Sequence, residues 1–134
     1  MGYRFLGHTA DIIIEGTGSN LAEAIEQTAL GLIERMGKAK KQKVTFQIEE
    51  KAETLDELVV HSLSSILTEC DIHELQPHSF KITEFDSKGE QKLLKAKLSM
   101  GRGKAKDSVK AVTYHNLKVE EKDEEAVVQV LLDI

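Results

Sequence analysis

The spacing of hydrophobic residues predicts a first helix from about Leu21 to Met36. Apolar positions recur there every three to four residues, and Gly37 follows as a natural stop, because glycine takes the left-handed conformation at little cost. Asn20 and Glu23 resemble a capping box, in which the cap side chain accepts a backbone N–H and the glutamate reaches back.

A second helix is predicted by the same signals. Thr54 and Glu57 stand in the same capping relation, and an apolar stripe runs from Leu55 to Cys70. His61 falls on the opposite, outer face of this helix.

The remaining hydrophobic positions predict strands joined by short polar connections. Several segments alternate with period two, and the composition at residues 86–89 and 122–123 is typical of sharp reversals. The predicted strands are Asp11 to Glu15, Val44 to Glu50, Phe80 to Phe85, Lys92 to Met100, Val109 to Val119 and Ala126 to Asp133.

Short connections favour antiparallel neighbours, and no repeat or low-complexity linker divides the 134 residues, a common length for one domain. We therefore expect a single α+β domain over residues 1–134. Its predicted architecture is a two-layer structure with two helices packed on a largely antiparallel β-sheet.

The composition of the chain argues against direct binding of nucleic acids. The formal net charge is −5, and the chain has no Trp, 4 Phe and 2 Tyr. Nucleic-acid binders usually carry a basic patch and aromatic side chains on which bases stack, so we expect any RNA contact to be indirect. Basic residues nevertheless cluster at residues 38–43 and 102–106, and each cluster is interpreted as a solvated turn.

Cysteine usage and hydropathy indicate a cytoplasmic protein. Cys70 is the only cysteine, which excludes an intrachain disulfide and a thiolate zinc cluster, and its helical spacing suggests packing. The amino terminus lacks the apolar run of a secretion signal, and no segment reaches membrane-spanning length, so no membrane partner is expected.

Acidic residues near both chain ends are candidate metal ligands. The segment His8-Thr9-Ala10-Asp11 delivers a carboxylate at the mouth of an apolar strand, which suits a hard cation. On local sequence alone, a turn in which Thr9 and Asp11 satisfy backbone donors is favoured over a metal site.

The carboxyl-terminal strand runs to the last residue. Asp133 and the α-carboxylate of Ile134 put two anions at one spot, which calls for a counter-charge such as a cation, an arginine or a lysine. If Asp11 converges there, three carboxylates favour a hard cation over zinc. The alternative is that Asp133 is an exposed residue at a strand end.

Two further motifs are less diagnostic. The segment from Val109 to His115 is a strand with imperfect alternation, in which Tyr114 is interpreted as core. His8 and His115 could act as proton carriers or ligands, but a lone histidine is more often packed or hydrogen-bonded. The segment Gly101-Arg-Gly-Lys104 lacks the spacing and the following helix of a phosphate loop, so it is interpreted as a mobile basic loop. Contact of this loop with a partner or a bound nucleotide stays open. No reaction class is indicated by these motifs, so no catalytic residue is predicted.

Three features together resemble the archease family in order and spacing: His8-Thr9-Ala10-Asp11, Lys110-Ala-Val-Thr-Tyr-His115 and the ending Asp133-Ile134. The resemblance covers essentially the whole chain and implies an α+β fold. It also implies a divalent-cation site, with calcium expected, formed by Asp11, Asp133 and the terminal carboxylate of Ile134. His8 and His115 receive no role beyond support of that site.

The function implied by the resemblance is that of a protein cofactor, not an enzyme. The implied partner is the tRNA-splicing RNA ligase, which joins a 3′-phosphate or 2′,3′-cyclic phosphate RNA end to a 5′-hydroxyl. Archeases are understood to promote guanylylation of that ligase's active-site histidine and to sustain its turnover.

The sequence departs from the family pattern in two places. Between Gly101 and Val109, many archeases carry a longer insertion with acidic residues and a histidine, which leaves open any partner contact made by that insertion. The second helix lacks the tryptophan common in the family, a change that neighbouring core side chains are expected to accommodate.

Two alternative functions stay open. The resemblance also suggests a chaperone-like partner that keeps a tRNA methyltransferase soluble and selective. A metal-dependent hydrolase, in which Asp11 and Asp133 position water, ranks lowest because no general base of clear identity accompanies the two acids.

Overall fold

The computed structural model describes residues 1–7 and 11–134, which form two helices and seven strands. Both predicted helices and all six predicted strands are confirmed, with boundaries shifted by a few residues. The short first strand was not predicted. In chain order the elements are β1 (Gly2–Leu6), β2 (Ile12–Gly18), α1 (Leu21–Met36), β3 (Val44–Ala52), α2 (Leu55–His73), β4 (Gln76–Asp86), β5 (Lys92–Gly101), β6 (Ala111–Lys122) and β7 (Glu125–Asp133).

All strand pairs are antiparallel, but the strands form two sheets rather than one. One sheet has the order β1-β2-β7-β6, and the other has the order β3-β5-β4. Helix α1 packs on β2, β7 and β1 and also contacts β4, whereas α2 packs on β6, β3 and β5. Both helices therefore contact both sheets, and the expectation of an α+β domain with two helices on antiparallel strands is confirmed.

The core is aliphatic and draws on every layer of the fold. Alternate residues of the strands point inward and meet the buried stripes of the two helices, so that their side chains leave water together. Fully buried members include Ile14, Leu32, Leu58, Leu98 and Leu132.

The predicted helix caps are present. Asn20 Oδ1 accepts the backbone N–H of Glu23 at 2.9 Å, and Thr54 Oγ1 accepts that of Glu57 at 3.2 Å. The Glu23 carboxylate reaches back to the backbone N–H of Ser19 at 2.9 Å rather than to Asn20. These bonds satisfy donors that a helix leaves unpaired at its amino end, which is why both helices begin where the sequence predicted.

Helix α1 runs back along β2, and the spacing between them is small. A Cβ at Gly16 would stand 2.2 Å from Thr28 Oγ1, and one at Gly31 would stand 2.7 Å from a methyl carbon of Ile14. Any larger residue at Gly16 would push the helix away from the sheet. Because α1 and β2 run in opposite directions, the carboxyl-terminal end of α1 lies next to the start of β2.

Neither helix in the described part of the chain is both long enough and apolar enough to cross a lipid bilayer.

Candidate functional site

The start of β2 and the end of β7 lie side by side. Ile12 pairs with Leu132 and Ile13 pairs with Leu131. Asp11 immediately precedes β2, and continuing this register by one residue would put it opposite Asp133. Directly opposed residues of an antiparallel pair project to the same face, with their Cβ atoms about 4.5–5.5 Å apart. The two acidic side chains singled out by the sequence therefore belong to the same end of the same strand pair.

This strand end is open to solvent. Asp11 and Asp133 are exposed, and Ile134 is 38% exposed, whereas Leu132 is fully buried one residue earlier. Exposed carboxylates on neighbouring strand ends repel one another, and a cation between them relieves that repulsion. Solvent access also suits a hard cation, because Ca²⁺ completes its coordination shell with water.

Strand β6 flanks β7 on the side away from β2. Ala111 pairs with Asp133, and Lys110 donates its backbone N–H to the carbonyl oxygen of Asp133 at 2.7 Å. The main chain of Asp133 is thus held by β6, which fixes the part of the chain that carries its carboxylate. The side chain of Lys110 is exposed.

The described residues offer no alternative metal site made of side chains alone. Among residues 1–7 and 11–134, no three His, Cys, Asp or Glu side chains lie close enough together to hold a metal ion. The predicted set has two acidic side chains and one main-chain carboxylate, so it differs in kind from such clusters and stays a prediction. His8, Thr9 and Ala10 lie outside the described residues, and so does any supporting role of His8.

A bulge interrupts the strand that carries the Lys110–His115 motif. The pairing runs up to Thr113 with Leu131 and resumes at Lys118 with Gln129, so residues 114–117 stand opposite Val130 alone. Asn116 has φ +56°, and its carbonyl oxygen accepts a hydrogen bond from the Gln129 side chain at 2.9 Å. This bulge accounts for the imperfect alternation at the end of the motif, because three inserted residues interrupt the pleat at Tyr114 and reverse the faces that follow.

The bulge turns Tyr114 and His115 toward solvent. Tyr114 is 52% exposed, and its hydroxyl lies 3.4 Å from Nε2 of His61 on α2. The prediction that Tyr114 belongs to the core was wrong, because the bulge lifts this residue out of the regular pleat. His115 is exposed, and its backbone N–H donates to Thr113 Oγ1 at 3.3 Å.

The loop between β5 and β6 packs against the end of α1. Lys106 donates its backbone N–H to the carbonyl of Met36 at 2.9 Å, and Asp107 donates to that of Arg35 at 3.0 Å. The loop thereby satisfies carbonyl groups that a helix leaves unpaired at its last turn. Arg35 Nε also lies 2.9 Å from Asp107 Oδ2, as an ion pair whose N–H is not aligned for a hydrogen bond.

The segment interpreted from sequence as a mobile loop is therefore docked onto α1. The loop donates hydrogen bonds to the last turn of α1. The local sequence of the loop does not reveal that α1 is its packing partner. The strand that follows it, rather than a helix, agrees with the rejection of a phosphate loop.

Sequence comparison identifies the relatives of this chain. The profile of the Archease protein family (MTH1598/TM1083) matches residues 3–134. Protein archease of Pyrococcus abyssi is 35% identical over 120 residues, which cover 84% of each chain. Protein archease of Sulfolobus acidocaldarius is 31% identical, with 98% of each chain covered.

Solved structures have the same fold. The solution structure of Methanobacterium thermoautotrophicum protein 1598 matches with a TM-score of 0.83 and 25% identity over 99% of both chains. The crystal structure of an archease and possible chaperone from Thermotoga maritima matches in fold, with a TM-score of 0.67 and 23% identity over 96% and 94% of the two chains. Because the family profile spans nearly the whole sequence and relatives exceed 30% identity over most of their length, this chain belongs to the archease family.

Proposed function

We propose that this archease is a metal-binding accessory protein that activates the tRNA-splicing RNA ligase and is not itself a catalyst. The function is the one implied by the resemblance to the family. The single observation that supports its metal site is the pairing of Ile12 with Leu132, because it makes acidic residues from opposite ends of the sequence neighbours.

In this proposal, Asp11, Asp133 and the α-carboxylate of Ile134 bind one divalent cation, with Ca²⁺ as the expected ion. Carboxylate oxygens are the ligands that Ca²⁺ prefers, and water fills the positions that three carboxylates leave. Zinc fits less well, because the only cysteine, Cys70, is buried in α2.

The residues of this chain act by positioning and charge, and bond making stays with the ligase. The main chain of Asp133 is paired with β6 through Ala111 and the backbone N–H of Lys110, so its place at the strand end is fixed before the partner arrives. When a cation is bound, it cancels the repulsion between the carboxylates. The strand end then forms an ordered tip that inserts near, or steadies, the ligase active site, and so promotes guanylylation and repeated turnover.

The test is multiple-turnover ligation by the purified ligase with GTP and Mn²⁺, using an RNA with a 2′,3′-cyclic phosphate end and an RNA with a 5′-hydroxyl. The parent chain is expected to stimulate turnover. Asp11→Ala and Asp133→Ala are each expected to reduce that stimulation by roughly ten-fold, a loss of about 1.4 kcal/mol.

The matched control is Glu120→Ala, which removes an exposed acid from the far part of β6 and is expected to stimulate like the parent. Circular dichroism spectra of all variants check that each is folded. The proposal is refuted if both aspartate variants stimulate turnover as well as the parent chain.

A second candidate function is that of a chaperone-like partner of a tRNA methyltransferase. The Thermotoga maritima archease is described as a possible chaperone, and the methyltransferase is the client that the family resemblance suggests. Light scattering of the heated methyltransferase, with and without this chain, separates the two functions, because suppressed scattering without any effect on ligation supports the second. Release of phosphate or nucleotide by the chain alone would instead support a metal-dependent hydrolase.

A further inference from the structure

Two basic segments that are far apart in the sequence form one surface in the fold. They are residues 38–43, between α1 and β3, and residues 102–106, at the start of the loop between β5 and β6. We term this surface the lysine face. Its charged side chains are all exposed: Lys38, Lys40, Lys41, Lys43, Arg102, Lys104 and Lys106.

Close main-chain contacts join the two segments. A Cβ at Gly37 would stand 2.2 Å from the carbonyl oxygen of Lys104, and a Cβ at Gly101 would stand 2.0 Å from that of Lys41. Only residues without a Cβ permit such an approach. Gly103 also lies against Ala39, where the corresponding distance is 3.2 Å. The two runs of positive charge are therefore held side by side by the backbone.

The charge of the lysine face is not compensated locally. Neither segment contains Asp or Glu, and none of the seven cationic side chains joins an ion pair within residues 1–7 and 11–134. Because the whole chain carries −5 and the lysine face carries +7, the other residues carry a formal charge of −12. Like charges that are crowded together attract a multivalent anion.

An open groove of about 650 Å³ adjoins the lysine face. Lys38, Lys104 and Lys106 line it, together with Tyr3 and Glu34. The Tyr3 hydroxyl donates a hydrogen bond to the Glu34 carboxylate, so the groove holds one acidic side chain against three lysines. Three lysines that line one groove suit a phosphate group, which lysine binds as a point charge.

We propose that the lysine face binds the phosphate backbone of single-stranded RNA. A protein partner is less favoured, because neither segment contains an aromatic or large aliphatic residue and lysine is depleted in protein–protein interfaces. The lack of aromatic residues also means that bases are not stacked on this surface. Binding is therefore independent of sequence and sensitive to salt.

The lysine face begins on the same side of the fold as the acidic strand end. Helix α1 runs back along β2, so Gly37 and Lys38 come at the end of α1 that lies next to the start of β2, where Asp11 stands. The choice of RNA over another polyanion rests on the proposed function, since the ligase substrate is an RNA whose terminal phosphate must be joined near the same tip.

The expectation that RNA contact is indirect rested on the net charge of the whole chain and on its few aromatic side chains. Contact with the phosphate backbone needs no aromatic side chain, so only the charge bears on it. The net charge is the sum of a formal −12 and a local +7, and so it conceals the lysine face.

The test is fluorescence anisotropy with a labelled RNA of about twelve nucleotides and mixed sequence that ends in a 3′-phosphate, titrated with the full chain in the absence of ligase. Affinity is expected to fall with salt by about 0.7 logarithmic units per decade for each phosphate contact. The combined variant Lys40→Gln, Lys41→Gln and Lys104→Gln is expected to bind roughly ten-fold more weakly and to flatten that slope by about 2.

The matched control combines Lys81→Gln, Lys88→Gln and Lys97→Gln, which removes the same charge from exposed lysines of β4, the following turn and β5. It is expected to bind RNA like the parent chain. Thermal melts of both combined variants check that each is folded.

Three results would overturn the proposal. One is the absence of saturable binding by the parent chain up to about 100 µM at low salt, and another is an equal loss of affinity in the control. The third is retained RNA binding by the lysine variant together with lost binding to the ligase in the absence of RNA, which would identify the lysine face as a protein-docking surface. Because no ligase is present in the anisotropy experiment, its outcome is independent of the ligation test of Asp11 and Asp133.

Discussion

Ile12 pairs with Leu132, so the first residue of β2 lies beside the penultimate residue of β7. On the inner face of the same strand pair, Ile14 and Val130 are paired and buried. A slip of one residue would turn these side chains to solvent, which makes the register strongly determined by the core. Hydrophobic burial therefore brings the start of β2 next to the end of β7. Favourable contacts between the acidic residues are not needed for this.

Calcium is expected to stabilise the fold through that strand end. At a free concentration 100-fold above the dissociation constant, a bound ion raises the free energy of unfolding by about 2.7 kcal/mol. Asp133→Asn is expected to lose most of this gain. Its stability without calcium is expected to equal or exceed that of the parent, because a repulsive charge is removed. Thermal melts followed by circular dichroism, in calcium and in EDTA, measure both effects.

The control for the calcium experiment is Glu120→Gln, which removes an exposed charge of β6 at a distance from the strand end. It is expected to keep the full calcium-dependent rise in melting temperature. An equal rise in Asp133→Asn and in the parent chain would contradict a role for Asp133 in binding the ion.

Gly37→Ala is expected to destabilise the fold. Gly37 has φ +104°, a conformation that residues with a Cβ rarely adopt, and the new Cβ would stand 2.2 Å from the carbonyl oxygen of Lys104. Strain of this kind costs about 1–3 kcal/mol, and the displaced loop adds to that cost. Urea unfolding of the parent and the variant measures the difference in the free energy of unfolding.

Gly89→Ala is the matched control for Gly37→Ala. A Cβ at Gly89 would stand 3.2 Å from Asp86 Oδ2, the far end of a flexible side chain that can move. Its effect is expected to be within about 0.5 kcal/mol, as for most surface substitutions. If both glycine variants unfold at the same urea concentration as the parent, the close contact of α1 with the β5–β6 loop is not required for stability.

Glu50→Gln is expected to stabilise the chain at neutral pH. Partial burial raises the pKa of the Glu50 carboxyl above its usual value, although the charge of His61 acts in the opposite direction. The folded state therefore holds the Glu50 proton more tightly than the unfolded state, and stability falls as pH rises through the window between the two pKa values. Above that window the charged carboxylate is a cost that the amide of glutamine avoids.

The stabilisation by Glu50→Gln is expected to disappear as the pH falls below the usual pKa of glutamate, where both proteins are uncharged at this position. Melting temperatures of the parent and the variant across the acid range follow this convergence. A variant that is less stable than the parent at neutral pH would show that attraction to His61 outweighs the cost of burial.

The sequence predicted best those elements whose signals are local and agree with one another. For α1, the apolar period, the Asn20 cap and the stop at Gly37 all indicate the same boundaries, and the helix spans Leu21–Met36. For β6, the bulge at residues 114–117 depends on pairing with β7. Local sequence does not contain that partner, so Tyr114 was assigned to the wrong environment.

The same distinction between local signals and distant contacts applies to the candidate site and to the lysine face. Asp11 and Asp133 were singled out because they flank apolar strands, and the register that makes them neighbours follows from the burial of those strands. The lysine face was not predicted, because it depends on close approaches at Gly37 and Gly101 between distant segments. Each segment alone has the composition of a solvated turn.

The Cys70 thiol is expected to resist alkylation in the folded chain. Burial raises its pKa from 9.0 to about 12, and its sulfur lies 3.6 Å from the sulfur of Met100 on β5. Because the thiolate is the nucleophile, a rise of that size lowers the reactive fraction roughly a thousand-fold near pH 8, and burial restricts access further. Mass spectrometry after iodoacetamide treatment, in native buffer and in guanidinium chloride, measures the two rates.

Cys70→Ser is the control for the alkylation experiment, since this variant has no cysteine and is expected to gain no mass under either condition. Slow labelling of the native chain that follows the rate of global unfolding would confirm that the last turns of α2 stay packed. Rapid labelling in native buffer would contradict the burial of Cys70. It would also mean that the end of α2 separates from β5 without unfolding of the rest, because the Cys70 sulfur contacts Met100 on β5.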